Sequence, residues 1–150
     1  NPGDILKPEL ARGYLQVIGA TTYDDYEKYI LPDESLERRF QPVHIHEATR
    51  EETLQILRGV KEVFEKFHHV RYPEDILEAM VDLPQKYVAK RYLPDKALDV
   101  LDEAGVRARV DHLKRKQKGP ANTEENPEVT LNMVKEIIAE WVDKPVQEIQ

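Results

Sequence analysis

The chain has 150 residues, of which 34% are charged, with a formal net charge of -7 and no cysteine. That length allows one domain, or one and a half, able to bury roughly 68–70% of its extended-chain surface. The acidic balance argues against general nucleic-acid binding, the missing thiols exclude disulfides and thiolate metal sites, and no run of about 18 apolar residues offers a membrane span.

No signal-peptide pattern opens the chain, which starts at Asn1-Pro2-Gly3 and closes on VDKPVQEIQ. We expect a piece excised from a longer polypeptide. Residues 3–12, GDILKPELAR, predict a helix with Asp4 as N-cap, Pro8 near the first turn and Gly13 as its stop. Residues 14–20, YLQVIGA, form an apolar run that fits a strand buried on both faces. TTYDDYEKYI, residues 21–30, predicts a helix carrying Tyr23, Tyr26 and Ile30 on one side. A turn at Pro32-Asp33 then leads into one or two helical turns, and PVHIHE, residues 42–47, alternates like a second strand.

From Thr49 the pattern is helical. Thr49 and Glu52 have capping-box spacing, and Leu54, Leu57, Val60, Lys61 and Phe64 follow at helical intervals. Residues 72–88 predict a second long helix, with Pro73 near its start and a break near Pro84. Residues 94–116 form the longest run, opened by Pro94 and closed by basic residues that suit a helix C-terminus. Leu93, Ala97, Leu98, Leu101 and Ala104 are its core candidates. Residues 117–128 lack periodicity and read as a loop or linker, after which Thr130 caps a last amphipathic helix anchored by Trp141.

Three stretches could carry chemistry. In VIGATT, the paired threonines would sit at the carboxyl end of a sheet strand, where ligands bind in open α/β sheets; the plain alternative is a helix cap, and the two roles are compatible. In SLERRF, Arg38 and Arg39 stand between the two expected strands. The plain reading is a solvated pair bonded to Glu34 or Glu37, whereas a planar guanidinium fork also suits phosphate oxygens. In RYLPDKALDVLDEA, Lys96 lies in a first helical turn, against the helix dipole, which hints at a nearby anion or carboxylate. His44 and His46 face one way on a strand but have no third ligand nearby in sequence, and His68-His69 suits the negative end of a helix.

GDILKPELARGYLQVIGATTYDDYEKYI, LERRFQPV, ILRGV and YLPDKALDVLDEA occur in that order, and together they resemble the first AAA+ ring domain of Clp-type unfoldases of the ClpA, ClpB and ClpC kind, from about residue 3 to about residue 110. The tail from Val129 resembles the helix leading towards a second ring. The resemblance implies a mainly α fold with a small α/β remnant: a partial AAA+ α/β subdomain of two strands (1–48), a helical lid (49–116), a linker (117–129) and a C-terminal helix (130–150). It implies that Thr22 is the sensor-1 residue and that Arg38 and Arg39 are arginine fingers reaching the nucleotide of an adjacent subunit. Ile56, Leu57, Pro94 and Leu98 would pack on adenine, and Lys96 would stand where many relatives place a sensor-2 arginine. Implied with these are ATP or ADP with Mg²⁺ in the intact parent and a hexameric ring acting on substrate proteins. A ClpP-type protease would be a further partner, and the location cytoplasmic or an organellar matrix.

No G-x-x-x-x-G-K-[ST] and no acidic Walker B strand occurs, so these residues are not expected to hydrolyse ATP alone or to bind nucleotide tightly. About 20 residues connect Val110 to Thr130, too few for a sustained coiled coil, which favours a ClpA-like or short-middle-domain member. The competing readings are a helical interaction module without a catalytic role, or another AAA+ machine such as a clamp loader. The charge of -7 speaks against the clamp loader.

Overall fold

The computed structural model describes residues 2–13, 15–116 and 126–150. Tyr14 and most of the expected 117–128 loop lie outside them. The chain divides into two compact units, Asn1–Ile45 and His46–Gln150.

The first unit opens with α1, Pro2–Ala11. It starts before the expected position, so Asp4 lies within the helix instead of capping it, and Pro8 sits mid-helix. Pro2 takes the first helical position, where a missing N–H costs nothing. Gly13, at φ 71°, adopts the left-handed conformation that stops the helix. Helix α2, Tyr23–Asp25, runs on into a π-helical turn over Tyr26–Ile30, closed by Leu31 N–H donating to the Tyr26 carbonyl at 3.0 Å. Helix α3, Glu34–Glu37, is capped by Asp33, whose carboxylate accepts from the Ser35 and Leu36 amides. Lys7 lies 2.6 Å from the same carboxyl, and with Ser35 holds it down at a pKa of about 2.

Neither expected strand forms: the described residues 15–20 and 42–47 have no ladder partner, and Ile18, Val43 and Ile45 are exposed. An alternating or apolar run records what a strand could bury, but a strand persists only beside a neighbour that shares its hydrogen bonds. No described side chain of this unit is buried. Its order comes from local caps and from polar ties such as Lys7 to Asp33.

The second unit holds the core. Helix α4, Arg50–His68, starts at a complete capping box: Glu52 N–H donates to Thr49 Oγ1, and Thr49 N–H donates to the Glu52 carboxylate at 2.8 Å. Helix α5, Glu74–Tyr87, follows Pro73 and runs straight through Pro84. The expected break does not occur, because Pro84 removes only the one N–H near the helix end and its own carbonyl still receives Val88 N–H at 2.8 Å. Helix α6 spans Asp95–Lys116, and α7 spans Leu131–Val142 with Thr130 as its cap. A 3₁₀ turn over Val146–Glu148 then brings Ile149 into the core.

All four long helices contribute to one apolar cluster, including Leu57, Leu77, Met80, Leu101, Ile137 and Ile138. The α7 stripe is therefore part of the same core as α4–α6. A single parallel bridge guides the chain into α7: Arg71 N–H donates to the Pro127 carbonyl and Val129 N–H to the Arg71 carbonyl, both at 2.9 Å.

The close approach is at Gly105 on α6. Tyr72 is buried, and its hydroxyl donates to the Leu101 carbonyl at 2.9 Å. Burial pushes that hydroxyl's pKa well up. His68 is also buried, with Nε2 2.7 Å from Asp102 Oδ1. Its role is this bond to α6, not only the dipole of its own helix. The α6–α7 seam is polar at its rim: Arg107 bonds both Glu103 and Glu140, Trp141 Nε1 donates to Glu103 at 3.2 Å, and the Arg91 guanidinium lies 4.2 Å over the Trp141 ring.

A Cβ at residue 105 would overlap the Tyr72 hydroxyl and lie 2.6 and 2.9 Å from His68 Cδ2 and Cγ, whereas Gly59 on α4 has nothing within 4 Å. Gly105→Ala should therefore lower the unfolding free energy by about 1–3 kcal/mol through overpacking. Gly59→Ala should raise it by up to about 1 kcal/mol through helix propensity. Urea denaturation followed by Trp141 fluorescence reads both. The Glu52 carboxyl, held by Thr49 N–H, and the Glu140 carboxyl, held by Arg107, both lie below the ordinary 4.5. A depressed folded-state pKa gives stability that is complete above the unfolded-state value and is lost as pH falls from there through the folded-state one. The urea midpoint should drop on acidification below about pH 4.5, and less steeply in Glu140→Gln.

Candidate functional site

Thr22, Arg38 and Arg39 belong to the first unit; Ile56, Leu57, Pro94, Lys96 and Leu98 belong to the second. Thr22 has extended backbone and caps α2: its Oγ1 accepts Asp25 N–H at 3.2 Å, and its carbonyl accepts Tyr26 N–H at 2.9 Å. The hydroxyl hydrogen remains able to donate elsewhere. Thr21 and Thr22 stand ahead of a helix as expected, but at the end of no strand.

Arg38 closes α3 and pairs with Glu34 across one helical turn at 3.3 Å, with both side chains mostly exposed. Exposed pairs of that kind contribute about 0–1 kcal/mol, so the guanidinium is held loosely enough to exchange partners. Arg39 reaches the Leu10 carbonyl at 3.5 Å, the outer limit of a hydrogen bond. Neither arginine is committed to a strong partner within its own unit.

In the second unit, Leu57 is fully buried in the core while Ile56, one residue earlier on α4, is 36% exposed. Of the two, only Ile56 can offer surface; Leu57 belongs to the core. Pro94 and Leu98 are half-buried where α6 begins, and Leu98 packs against the core cluster. Helices α4 and α6 pack together; Ile56 lies on α4, Leu98 on α6 and Pro94 just ahead of α6.

Lys96 resolves differently from the expectation of an external anion. It is only 4% exposed, and Nζ donates to the Val88 carbonyl at 3.2 Å. Val88 is the C-cap of α5. The ammonium thus sits at the negative end of the neighbouring helix, which explains its tolerance of the first turn of α6.

Sequence reasoning missed Glu47. Its carboxylate accepts Leu93 N–H at 2.8 Å, and the Leu93 carbonyl accepts Ala48 N–H at 3.2 Å. Contacts across 46 residues leave no local signature in sequence. Two surface grooves, of about 500 and 470 Å³, lie along α7 and the ends of α6 and α7, and neither includes a candidate residue. Among the described residues no cluster of three His, Cys, Asp or Glu is placed to hold a metal ion, and no helix is long and apolar enough to cross a membrane.

Residues 49–144 match the family described as the AAA lid domain. The chloroplastic chaperone protein ClpC1 of Oryza sativa subsp. japonica is 56% identical over 109 residues, which take in 73% of this chain and 12% of that protein. The chaperone protein ClpB of Clostridium tetani is 53% identical over 113 residues, covering 74% of this chain and 13% of the relative. Among solved structures, the S. cerevisiae Hsp104–ADP complex superposes with a TM-score of 0.80 at 33% identity, covering 97% of this chain and 23% of that chain. A closed-state reconstruction of Hsp104 with ATPγS and FITC-casein gives 0.82 at 32%, covering 99% and 25%. The chain thus spans about an eighth of these curated relatives and about a quarter of these solved chains.

Lys96→Met would leave the Val88 carbonyl without its donor in a buried site. The unfolding free energy should fall by about 1–3 kcal/mol. Lys90→Met, at an exposed position, should stay within about 0.5 kcal/mol of wild type in the same urea titration.

Proposed function

The chain belongs to the AAA lid domain family, of the kind found in Clp-type AAA+ chaperones, and from that premise we propose that it supplies the sensor, arginine-finger and lid portion of an ATP-dependent protein unfoldase. The match across residues 49–144 supports the lid part of this reading, and the likeness to Clp chaperones and Hsp104 over a longer stretch supports the rest. Residues 1–48 are then the end of the large AAA+ subdomain, 49–116 with the helix from 130 the lid, and the intact protein a hexameric ring acting on substrate proteins. A ClpP-type protease is a candidate partner, and the location is cytoplasmic or an organellar matrix.

The residues divide the work by chemistry. Ile56, Pro94 and Leu98 offer a partly exposed apolar edge that suits the face of an adenine ring, with Leu57 behind them. Arg38 and Arg39 offer guanidinium forks with weak partners of their own. In a ring they reach a neighbour's nucleotide and stabilise charge that spreads over the transferring phosphoryl group. Thr22 Oγ1 donates towards the γ-phosphate or the attacking water. Mg²⁺ and the phosphate-cradling lysine fall to other residues, since these 150 contain no G-x-x-x-x-G-K-[ST]. Lys96 acts through the turn it holds, because its ammonium is taken up by Val88.

Hydrolysis then depends on ring assembly, because one subunit's bound nucleotide needs another's arginines. Differential contacts of the lid with ATP and ADP bias its orientation and move substrate. In the intact protein, Arg38→Ala with Arg39→Ala should cut ATP turnover by about 10³-fold or more while nucleotide still binds. Steady-state hydrolysis alongside fluorescent-nucleotide titration measures this. Unchanged turnover would remove the finger assignment.

A further inference from the structure

The way the chain joins the second unit has a property that neither the motifs nor the family match assigns. Residues 41–46 have no secondary structure and expose their side chains. From Glu47 onward every residue up to α4 is tied down. Glu47 accepts Leu93 N–H at 2.8 Å, Ala48 N–H donates to the Leu93 carbonyl at 3.2 Å, and Thr49 forms the capping box with Glu52. Arg50 follows with a bidentate fork on Asp82 of α5, at 2.6 and 2.8 Å. Pinning therefore starts abruptly at Glu47.

Its partner is the turn that presents Pro94. Leu93 is buried, and both its backbone polar groups are bonded to residues 47 and 48. On the far side of the same turn, Lys96 Nζ holds the Val88 carbonyl and Lys96 N–H donates to the Tyr92 carbonyl at 3.0 Å. The turn over 91–94 is thus clamped from two directions, once by α5 through Lys96 and once by the incoming chain through Glu47. Glu47 is itself exposed, but its carboxylate is the acceptor that the Leu93 amide has, and without it that amide must find another, so Glu47 bears on whether this turn keeps its position.

We infer that Glu47 is a positioning residue for nucleotide: by accepting the Leu93 amide it holds the Pro94 turn in register with the start of α4. This rests on the proposed function for the role of Pro94, and on the observed hydrogen bonds for the lock itself. Glu47 touches no substrate in this scheme and acts only through Leu93.

The test uses the intact protein with ATP. Glu47→Ala should raise KM for ATP about tenfold with kcat within about twofold, because the loss falls on positioning of the bound base and not on phosphoryl transfer. Glu47→Gln, whose amide oxygen still accepts Leu93 N–H, should restore KM to within about threefold of wild type. Hydrogen exchange at the Leu93 amide should speed up at least about tenfold in Glu47→Ala while α7 amides keep their protection. An unchanged KM in Glu47→Ala overturns the inference, as does faster exchange spread equally over α5, α6 and α7, which would mark general destabilisation. Wild-type protein that binds no adenine nucleotide would overturn the functional reading and this inference together. Unchanged KM beside normal wild-type turnover overturns this inference alone.

Discussion

The second unit depends on one close approach. Helix α6 can lie against the end of α4 only because residue 105 has no side chain, which leaves room for Tyr72 and His68 at the same point. Tyr72 then spends its hydroxyl on the Leu101 carbonyl and His68 spends Nε2 on Asp102, so two buried polar groups are satisfied by one helix. A larger residue would separate the helices and leave both groups searching for partners in a dry core. The cost of a glycine in a helix interior, about 1 kcal/mol, is offset by that packing. Leu57, Leu101 and Ala104, on the same two helices, belong to the one core cluster that this approach allows to close.

Around that point the unit is closed by ties that bridge distant parts of the chain. The Arg71 bridge to residues 127–129 brings α7 back beside the α4–α5 connection. Arg107 links α6 to α7 through Glu103 and Glu140, and Tyr87 holds the final residues, donating towards the Glu148 carbonyl and accepting Gln150 N–H. These bonds are individually modest. Their effect is to fix register among helices whose apolar stripes alone would tolerate sliding, and so to fix where Ile56, Pro94 and Leu98 stand.

What could be read from sequence, and what could not, follows range along the chain. The capping box at Thr49 and Glu52, the Thr130 cap, the Pro94 start of α6 and the 3–4 spacing of Leu54, Leu57, Val60 and Phe64 are local patterns, and each is present. Strands at 14–20 and 42–47 were legible only as burial capacity, and without a neighbour that capacity does not become a ladder. Pro84 misled because a proline near a helix end removes one bond only. Lys96 was correctly singled out as unfavourable against its own helix, but its counter-charge proved to be the end of α5, which no spacing in sequence announces. Gly105 stood as an isolated glycine in a helical pattern, the one available sign that something approaches closely there. The family motifs carried further than periodicity did, since an ordered set of short stretches encodes tertiary relations that single windows do not.

The two units differ in what sets their conformation, and this bears on the chemistry each is proposed to carry. The second unit has its own core, and of the residues proposed to face the base Leu98 packs against it. The first unit has no buried side chain among its described residues; Thr22 and Asp33 are ordered by caps, and Arg38 by an exposed pair with Glu34. Groups held this weakly gain a defined geometry from what they bind, and the entropy of fixing a long arginine side chain is lost at that moment. For residues that complete another subunit's site this is physically consistent: a guanidinium locked in a strong internal ion pair would have to break it before meeting a phosphate, whereas Arg38 gives up about 1 kcal/mol or less. In the proposed arrangement the base-facing residues thus stand on a unit with its own core and the charged groups on one without, so the arginines are fixed by what they meet and not by what surrounds them.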